Sequence, residues 1–217
     1  MALADETAVV DLSFGVESAA PVDYAAVPTL ALRLRVENAG AAEVRSVLLD
    51  AQIQIAARRR SYGSGEQERL HDLFGTSDRW RDTLRTLPWT RLTVLVPPFS
   101  GSTVVELKVV CSYDLEVAAA GYFAALDGGE IPLELLFSGT VFYSGDDGRL
   151  QAERIAWTKE AEFALPVSVW RETMDRHFPD SAWLRLSRRS YDRLRAYRSR
   201  HAFASWDQAV DALLGSG

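Results

Sequence analysis

One cysteine and three histidines, Cys111, His71, His177 and His201, are the residues best suited to nucleophilic, general-base or metal chemistry. A cysteine activated by a histidine is the minimal nucleophile pair. Cys111, however, ends a stretch of alternating apolar residues, where a lone cysteine usually packs as a small hydrophobic side chain. The histidines fall in three separate segments without HxH or HxxxH spacing, so no local metal site is indicated. The sequence therefore predicts no catalytic residue, no metal ligand and no cofactor.

Three short motifs carry charges that could bind ions, and each has a simpler interpretation. Asp146-Asp147-Gly148 lacks the alternating ligands and the distant glutamate of an EF-hand calcium loop, and a hairpin tip uses Asp and Gly in any case. Asp127-Gly128-Gly129-Glu130 is interpreted in the same way. The run Arg58-Arg59-Arg60 could bind an anion but is interpreted as the solvated end of a strand. The chain also contains no GxGxxG after a strand, no Walker lysine and no GxSxG, so nucleotide and acyl chemistry lack their usual motifs.

The charge of the chain is distributed unevenly along the sequence. The formal net charge is −6 at pH 7. From Trp183 onward there are seven arginines and three aspartates, which gives +4 and leaves −10 for residues 1–182. An acidic chain argues against non-specific nucleic-acid binding by the protein as a whole.

The first residues of the chain have neither the basic nor the apolar region of a signal peptide. No apolar run reaches the length of a membrane-spanning helix, and a single cysteine excludes an intrachain disulfide. We therefore expect a cytoplasmic protein that does not enter a membrane.

Alternating apolar segments separated by short turns predict a β-rich core. Three antiparallel hairpins are expected from this pattern. They join residues 29–37 to 44–55, 90–96 to 102–110, and 133–143 to 150–163, around turns at Asn38-Ala39-Gly40, Phe99-Ser100-Gly101 and residues 144–148. Because sequential antiparallel strands need only short turns, we predict an α+β protein with an antiparallel β-sandwich-like core.

A helical excursion interrupts the strands at residues 62–89. Residues 64–74 have the signals of a short helix, with Ser64 as the N-cap and a stop at Gly75. The excursion is longer than two strands require. Phe74, Trp80 and Trp89 give it the aromatic content of a protein interface.

We predict a partner surface at these three residues, with Trp80 as the exposed anchor. Replacing Trp80 by Ala would then abolish co-purification of a partner with little change in melting temperature. The alternative is that the same aromatics cap an open end of the sandwich core.

After Pro166 the pattern becomes helical. Helices are expected at residues 167–178, 187–200 and 206–214, the last capped by Ser205 and ended by Gly215. The predicted organisation is a β-rich core at 1–165 containing the excursion, followed by a helical extension at 166–217 that packs on the core.

The C-terminal run AWLRLSRRSYDRLRAYRSRHAFASWDQAVDALL resembles the strand-helix-helix pattern of ribbon-helix-helix DNA-binding proteins. That resemblance implies that Trp183, Arg185 and Ser187 face the bases. The alternative is a helical hairpin that packs on the β core with its arginines in solvent, and the acidic remainder of the chain favours it.

Five further segments, VPTLALRLRV, HDLFG, PPFSGST, YDLEVAAAGYFAALDGGEIPLELLFSGTVFY and LPVSVWRETMDRHFP, are similar to an uncharacterised family of actinobacterial proteins. The resemblance extends from about Val27 to Leu214. It implies a genomic setting beside uptake [NiFe]-hydrogenase genes, and hence a role in scaffolding or assembly. It carries no catalytic residue over to this chain.

The sequence thus favours a non-enzymatic accessory or binding protein with a protein partner, expected to be a hydrogenase component. A DNA-binding regulator that uses the C-terminal segment is the first alternative. An enzyme whose site is dispersed along the sequence is the second, because such a site leaves no local motif.

Overall fold

The computed structural model describes residues 10–112, 114, 117–145, 147–177, 179, 181 and 185–215. The chain divides into two compact units, which meet in the sequence between residues 182 and 183.

The first unit contains eight strands and five short helices within the described residues. The strands are β1 (Leu12–Pro21), β2 (Thr29–Asn38), β3 (Val44–Ile55), β4 (Leu87–Val96), β5 (Ser102–Val110), β6 (Glu130–Ser144), β7 (Leu150–Arg154) and β8 (Glu160–Pro166). The helices are α1 (Ser64–Arg69), α2 (His71–Phe74), α3 (Trp80–Thr83), α4 (Ala118–Ala125) and α5 (Val167–Asp175), with 3₁₀ turns at Ala57–Arg59 and Ser77–Arg79.

Two antiparallel sheets form the core of this unit. One has the strand order β1-β2-β5, and the other has the order β4-β3-β6, with both β7 and β8 paired to β6. Alternate residues of β2 and β3 are buried between the sheets, as a two-residue side-chain period requires. Phe14 of β1 stacks on Phe137 of β6 at a centroid distance of 4.3 Å and joins the two sheets. The predicted α+β class with a sandwich-like core is confirmed.

The strand partners correct two of the three predicted hairpins. β2 pairs with β1 and β5, whereas β3 pairs with β4 and β6, so the Asn38-Ala39-Gly40 turn crosses between sheets. The Phe99-Ser100-Gly101 turn also crosses between sheets, because β4 and β5 lie in different ones. The alternation of apolar and polar residues shows which face of a strand is buried. The same alternation occurs whether a turn joins two strands of one sheet or carries the chain to the other sheet. The third prediction is confirmed where β6 pairs with β7.

The two corners brace each other through main-chain and side-chain hydrogen bonds. The backbone N–H of Asn38 donates to the Gly101 carbonyl at 2.7 Å, and Val44 exchanges two backbone hydrogen bonds with Phe99. The Asn38 side chain accepts from the N–H of Asp11 at 2.9 Å and donates to the Ala42 carbonyl at 2.9 Å. The Asn38 side-chain amide thereby provides hydrogen-bond partners for two backbone groups that lie outside the strand-to-strand hydrogen bonds.

β7 and β8 act as one edge strand interrupted by a loop at residues 155–159. Both run antiparallel to β6, and the loop bulges out between them with Trp157, which is 89% exposed, at its tip. Opposite this loop, Gly139 has φ 137°, and a Cβ there would lie 2.0 Å from the Leu48 carbonyl oxygen. The close approach of β3 and β6 therefore requires glycine at this position.

The helix α5 belongs to the first unit. Its Trp170 and Met174 side chains are 7% exposed, and the helix contacts β1, β2 and β8. This unit accordingly continues past Pro166, where the sequence predicted the end of the core domain.

The second unit contains α6 (Arg188–Arg200) and α7 (Trp206–Leu214), as the sequence predicted. Ser187 caps α6 by accepting from the N–H of Ser190 at 3.1 Å. Ser205 caps α7 by accepting from the N–H of Gln208 at 3.1 Å. Of the described residues of this unit, Ala209 alone is buried. No helix in the described parts of the chain is long and apolar enough to cross a membrane.

Candidate binding surfaces

A buried ion pair lies where the helical excursion leaves β3. The Nη2 of Arg60 donates to Glu66 Oε1 at 2.6 Å, and the two side chains are only 12% and 6% exposed. Glu66 also accepts from the backbone N–H of Asp127 at 2.9 Å and from that of Gly63 at 3.1 Å. Gly63, not Ser64, is therefore the N-cap of α1, and the Glu66 carboxylate replaces the side-chain cap. This carboxylate ties α1 to the loop before β6.

The arginine clamp, defined as Arg60, Arg69 and Arg171, holds that loop by its carbonyl oxygens. Arg69 donates to the Ala125 carbonyl at 2.9 Å, and Arg171 donates to the carbonyls of Leu126 and of Asp127, the latter at 2.9 Å. Arg60 donates to the carbonyls of Gly128 and Glu130 at 2.7 Å. The three arginines thus donate to one run of backbone carbonyl groups, although the buried Nε of Arg60 has no hydrogen-bond partner.

The run Arg58-Arg59-Arg60 follows the end of β3, and Arg58 and Arg59 are exposed, as the sequence suggested, whereas Arg60 is largely buried. Arg58 donates to the Leu84 carbonyl. Arg59 pairs with Glu134 at 2.7 Å and with Glu162 at 2.6 Å, and the hydrogen bond to Glu162 contributes most to raising the Arg59 pKa. Each of the three guanidinium groups serves the fold.

The aromatic cluster of the excursion consists of Tyr62, Phe74, Trp80, Trp89, Tyr122, Phe123 and Trp170. Tyr62 donates to the Ala57 carbonyl at 2.7 Å, so Tyr122 donates in the 2.7 Å contact between the two hydroxyl groups. Burial raises the pKa of both tyrosines, which keeps them neutral at ordinary pH. They act as hydrogen-bonded core groups and not as bases.

All three predicted interface residues lie in this cluster. Phe74 is 3% exposed. Trp80 is half-buried, lies edge-on to Tyr62 at 5.2 Å and donates its indole N–H to the Gly75 carbonyl at 2.9 Å. Trp89 is half-buried and lies edge-on to Phe123 at 4.9 Å. These contacts favour the alternative interpretation, in which the aromatics complete the core of the sandwich.

The cysteine and the histidines are placed separately. Cys111 is buried, and burial raises its pKa to about 12, so its thiolate is scarce at neutral pH. The ring nitrogens of His177 lie 3.2 and 2.9 Å from the carbonyl oxygens of Thr173 and Ala25, which ties α5 to the β1–β2 turn. His71 is exposed on α2, and His201 ends α6. No group of three metal-ligating residues is found among the described residues.

An open groove of about 830 Å³ runs between the clamped loop and α5. Its lining mixes acidic, basic and small residues, including Asp127, Gly129, Ser168, Glu172 and Arg176. Arg176 is already paired with Asp23 and with Glu172. The groove therefore presents charges of both signs side by side and no surface of a single charge.

The hairpin groove, about 450 Å³, lies on the second unit between α6 and α7. It is lined by Ser190, Arg193, Leu194, Ala196, Tyr197, Arg200 and Leu213. The α6 members recur at helical spacing and form one face. Behind this face, Arg198 lies over the Trp206 ring at 4.0 Å and joins the two helices. The groove was not predicted from the sequence, although the helical spacing of its lining residues from Ser190 to Arg200 could have indicated it.

The residues of the predicted DNA contact precede α6. Arg185 and Ser187 are not in a strand, and the Ser187 hydroxyl is engaged as the cap of α6. Trp183 lies outside the described residues. DNA binding by this segment stays a prediction.

Similar solved structures share at most a distant likeness with the chain. The CARDB domain of a Pyrococcus furiosus protein, in complex with di-metal ions, is 12% identical, with 73% of this chain and 89% of that chain covered and a TM-score of 0.29. The putative ApaA protein of Bordetella pertussis is 16% identical, with 72% and 93% covered and a TM-score of 0.28. A β-glucosidase of Kluyveromyces marxianus is 11% identical, with 72% and 15% covered and a TM-score of 0.28. TM-scores this low carry no argument about function.

No curated protein matches the chain. A family model, in contrast, matches almost its whole length. The chain belongs to the family of unknown function DUF6084, whose model matches residues 9–217.

Proposed function

We propose that this protein is a non-enzymatic accessory protein that binds another protein, and that the hairpin groove is its contact surface. The observation that carries this proposal is the apolar floor of the groove, formed by Leu194 and Tyr197 of α6 and by Leu213 of α7. Leu213, which lines the groove, is 48% exposed. A helical pair this small buries too little surface to be complete by itself. Exposed apolar side chains bordered by arginines are typical of protein interaction sites.

The partner we expect is a component of a [NiFe]-hydrogenase system in the cytoplasm of an actinobacterium. The resemblance of segments such as HDLFG and PPFSGST to an actinobacterial family supports this expectation. The role would be assembly or scaffolding, because the groove supplies apolar contacts and positive charge but no reactive group.

Affinity purification of the tagged full chain from its native host tests the proposal. We expect a specific protein to be enriched about tenfold over a tag-only control. We expect Leu213→Ser to reduce its recovery by about the same factor, since the few contacts whose truncation costs over 1 kcal/mol of binding cluster at the centre of an interface. Leu214→Ser is the matched control, because Leu214 is more exposed and does not line the groove.

The proposal is wrong if no protein is enriched, or if both variants retain the partner equally. Recovery of nucleic acid that a nuclease removes, in place of a protein, would favour the DNA-binding alternative. Unchanged helical circular dichroism of both variants shows that the comparison reports on binding and not on folding.

A further inference from the structure

We propose that the hairpin groove takes an acidic amphipathic helix of the partner protein. This inference rests on the function proposed above and specifies the chemistry of the segment that is bound. It follows from the shape of the groove, from its apolar floor and from the sign of its charges.

The groove has the length and the floor that a helix requires. Its α6 lining runs from Ser190 to Arg200, which at about 1.5 Å per residue is roughly 15 Å, or three helical turns. Leu194 and Tyr197 supply apolar surface from α6, and Leu213 supplies it from α7. Apolar side chains repeating every three or four residues on a bound helix would fill such a floor.

The charged residues of the lining have one sign. Arg193 and Arg200 are both exposed, and they lie two turns apart, about 10 Å along the helix axis. No described residue of the lining is acidic. In the same unit Asp192 pairs with Arg188 at 3.5 Å, away from the groove. Carboxylates two turns apart on a bound helix would complement the two arginines.

Two other occupants match the lining less well. The hairpin of a second copy carries the same +4 charge and would bring arginines against arginines. A nucleic-acid backbone would engage Arg193 and Arg200 but would leave Leu194 and Leu213 against phosphate and sugar, without apolar partners. An acidic amphipathic helix uses both the charge and the apolar floor.

Binding of labelled peptides to the full chain tests this inference. Three 16-residue peptides are compared by fluorescence anisotropy at about 0.15 M salt, where distant charges are largely screened. The first places Leu at every third or fourth position and Glu elsewhere, the second replaces each Glu by Lys, and the third replaces each Leu by Ser. We expect the first to bind at least about tenfold more tightly than either of the others.

Charge reversal in the groove sharpens the test. The double variant Arg193→Glu/Arg200→Glu should weaken binding of the acidic peptide about tenfold and strengthen binding of the lysine peptide. Arg189→Glu/Arg195→Glu changes the same charge on the same helix outside the groove, and it should alter the dissociation constant by less than about threefold.

Equal binding of the acidic and lysine peptides overturns the inference. An equal loss of affinity for the acidic peptide in both double variants overturns it as well. Absence of acidic-peptide binding overturns it too, as does preferential binding of a 20-base-pair duplex DNA. If a protein is captured through Leu213 while the acidic peptide does not bind, the proposed function stands and this inference falls. If no protein is captured at all, the proposed function fails first.

Discussion

The aromatic cluster of the first unit and the α6–α7 hairpin use the same residue types to different ends. Beside the cluster, Arg60 lies 5.7 Å from the centre of the Tyr62 ring, is 12% exposed and has its charge paired with Glu66. In the hairpin, Arg193 and Arg200 line an open groove. Both regions combine tryptophan, tyrosine and arginine, so composition alone does not distinguish a core from an interface. The distinguishing property is whether donors and apolar surface are already engaged within the chain.

This difference also decides which of the two regions has surface left to bind a partner. Every predicted interface residue of the excursion packs on a neighbour inside the first unit, so its removal is expected to cost folding stability. The corresponding residues of the hairpin leave surface open, so their removal is expected to cost binding.

Replacing Glu66 by Ala should give the largest loss of stability. The substitution leaves the buried guanidinium of Arg60 without its counter-charge and removes the acceptor for two backbone N–H groups. Breaking a buried pair in this way typically costs about 3–5 kcal/mol of unfolding free energy. Chemical denaturation measures the change. Glu68→Ala, on the exposed side of the same helix, should change it by less than about 0.5 kcal/mol. If Glu66→Ala lowers the unfolding free energy as little as Glu68→Ala does, Arg60 has found another partner.

Replacing Trp80 by Ala should lower the unfolding free energy by about 2 kcal/mol, roughly half of what a fully buried aromatic contributes. The indole contacts Tyr62 and Phe74 and donates a hydrogen bond within the excursion. Trp157→Ala is the matched control, because Trp157 is 89% exposed and should change stability by less than about 0.5 kcal/mol. A small effect at Trp80 together with loss of a captured partner would instead support the interface predicted from the sequence.

Replacing Arg198 by Gln should have the smallest effect, confined to the hairpin. The substitution removes the cation that lies 4.0 Å from the centre of the Trp206 ring, a contact worth about 0.5–1 kcal/mol at an exposed site. Amide hydrogen exchange in residues 206–214 should therefore quicken about two- to fivefold. Arg195→Gln makes the same chemical change on the exposed side of α6 and should leave the exchange unaltered. Equal exchange in the two variants would mean that other contacts hold the helices together.

The sequence predicted the strands and helices well because each depends on local pattern. The alternation in residues 29–37 and the cap at Ser205 are local signals, and the elements they predicted are present. Strand partnership is not local. The turns at Asn38 and at Phe99 have hairpin-like composition, yet each carries the chain from one sheet to the other.

The candidate sites followed the same rule. The arginine clamp could not be predicted, because Arg60, Arg69 and Arg171 converge on one loop only after the chain has folded. The aromatic content of the excursion was visible in the sequence, but whether Trp80 faces solvent depends on Tyr62 and Phe74, whose positions are set by tertiary packing. The hairpin groove could have been predicted more readily from the sequence, since the residues on its α6 face recur at helical spacing.

The burial of Cys111 makes the chain convenient for optical work. Thiol-reactive dyes attack the thiolate, and this is the chain's one cysteine, with a pKa raised to about 12 by burial. A Ser190→Cys variant would therefore present a single accessible thiol at the edge of the hairpin groove, with the native thiol left in place. An environment-sensitive dye attached there would report occupancy of the groove in real time, in the intact protein and without a competing label elsewhere.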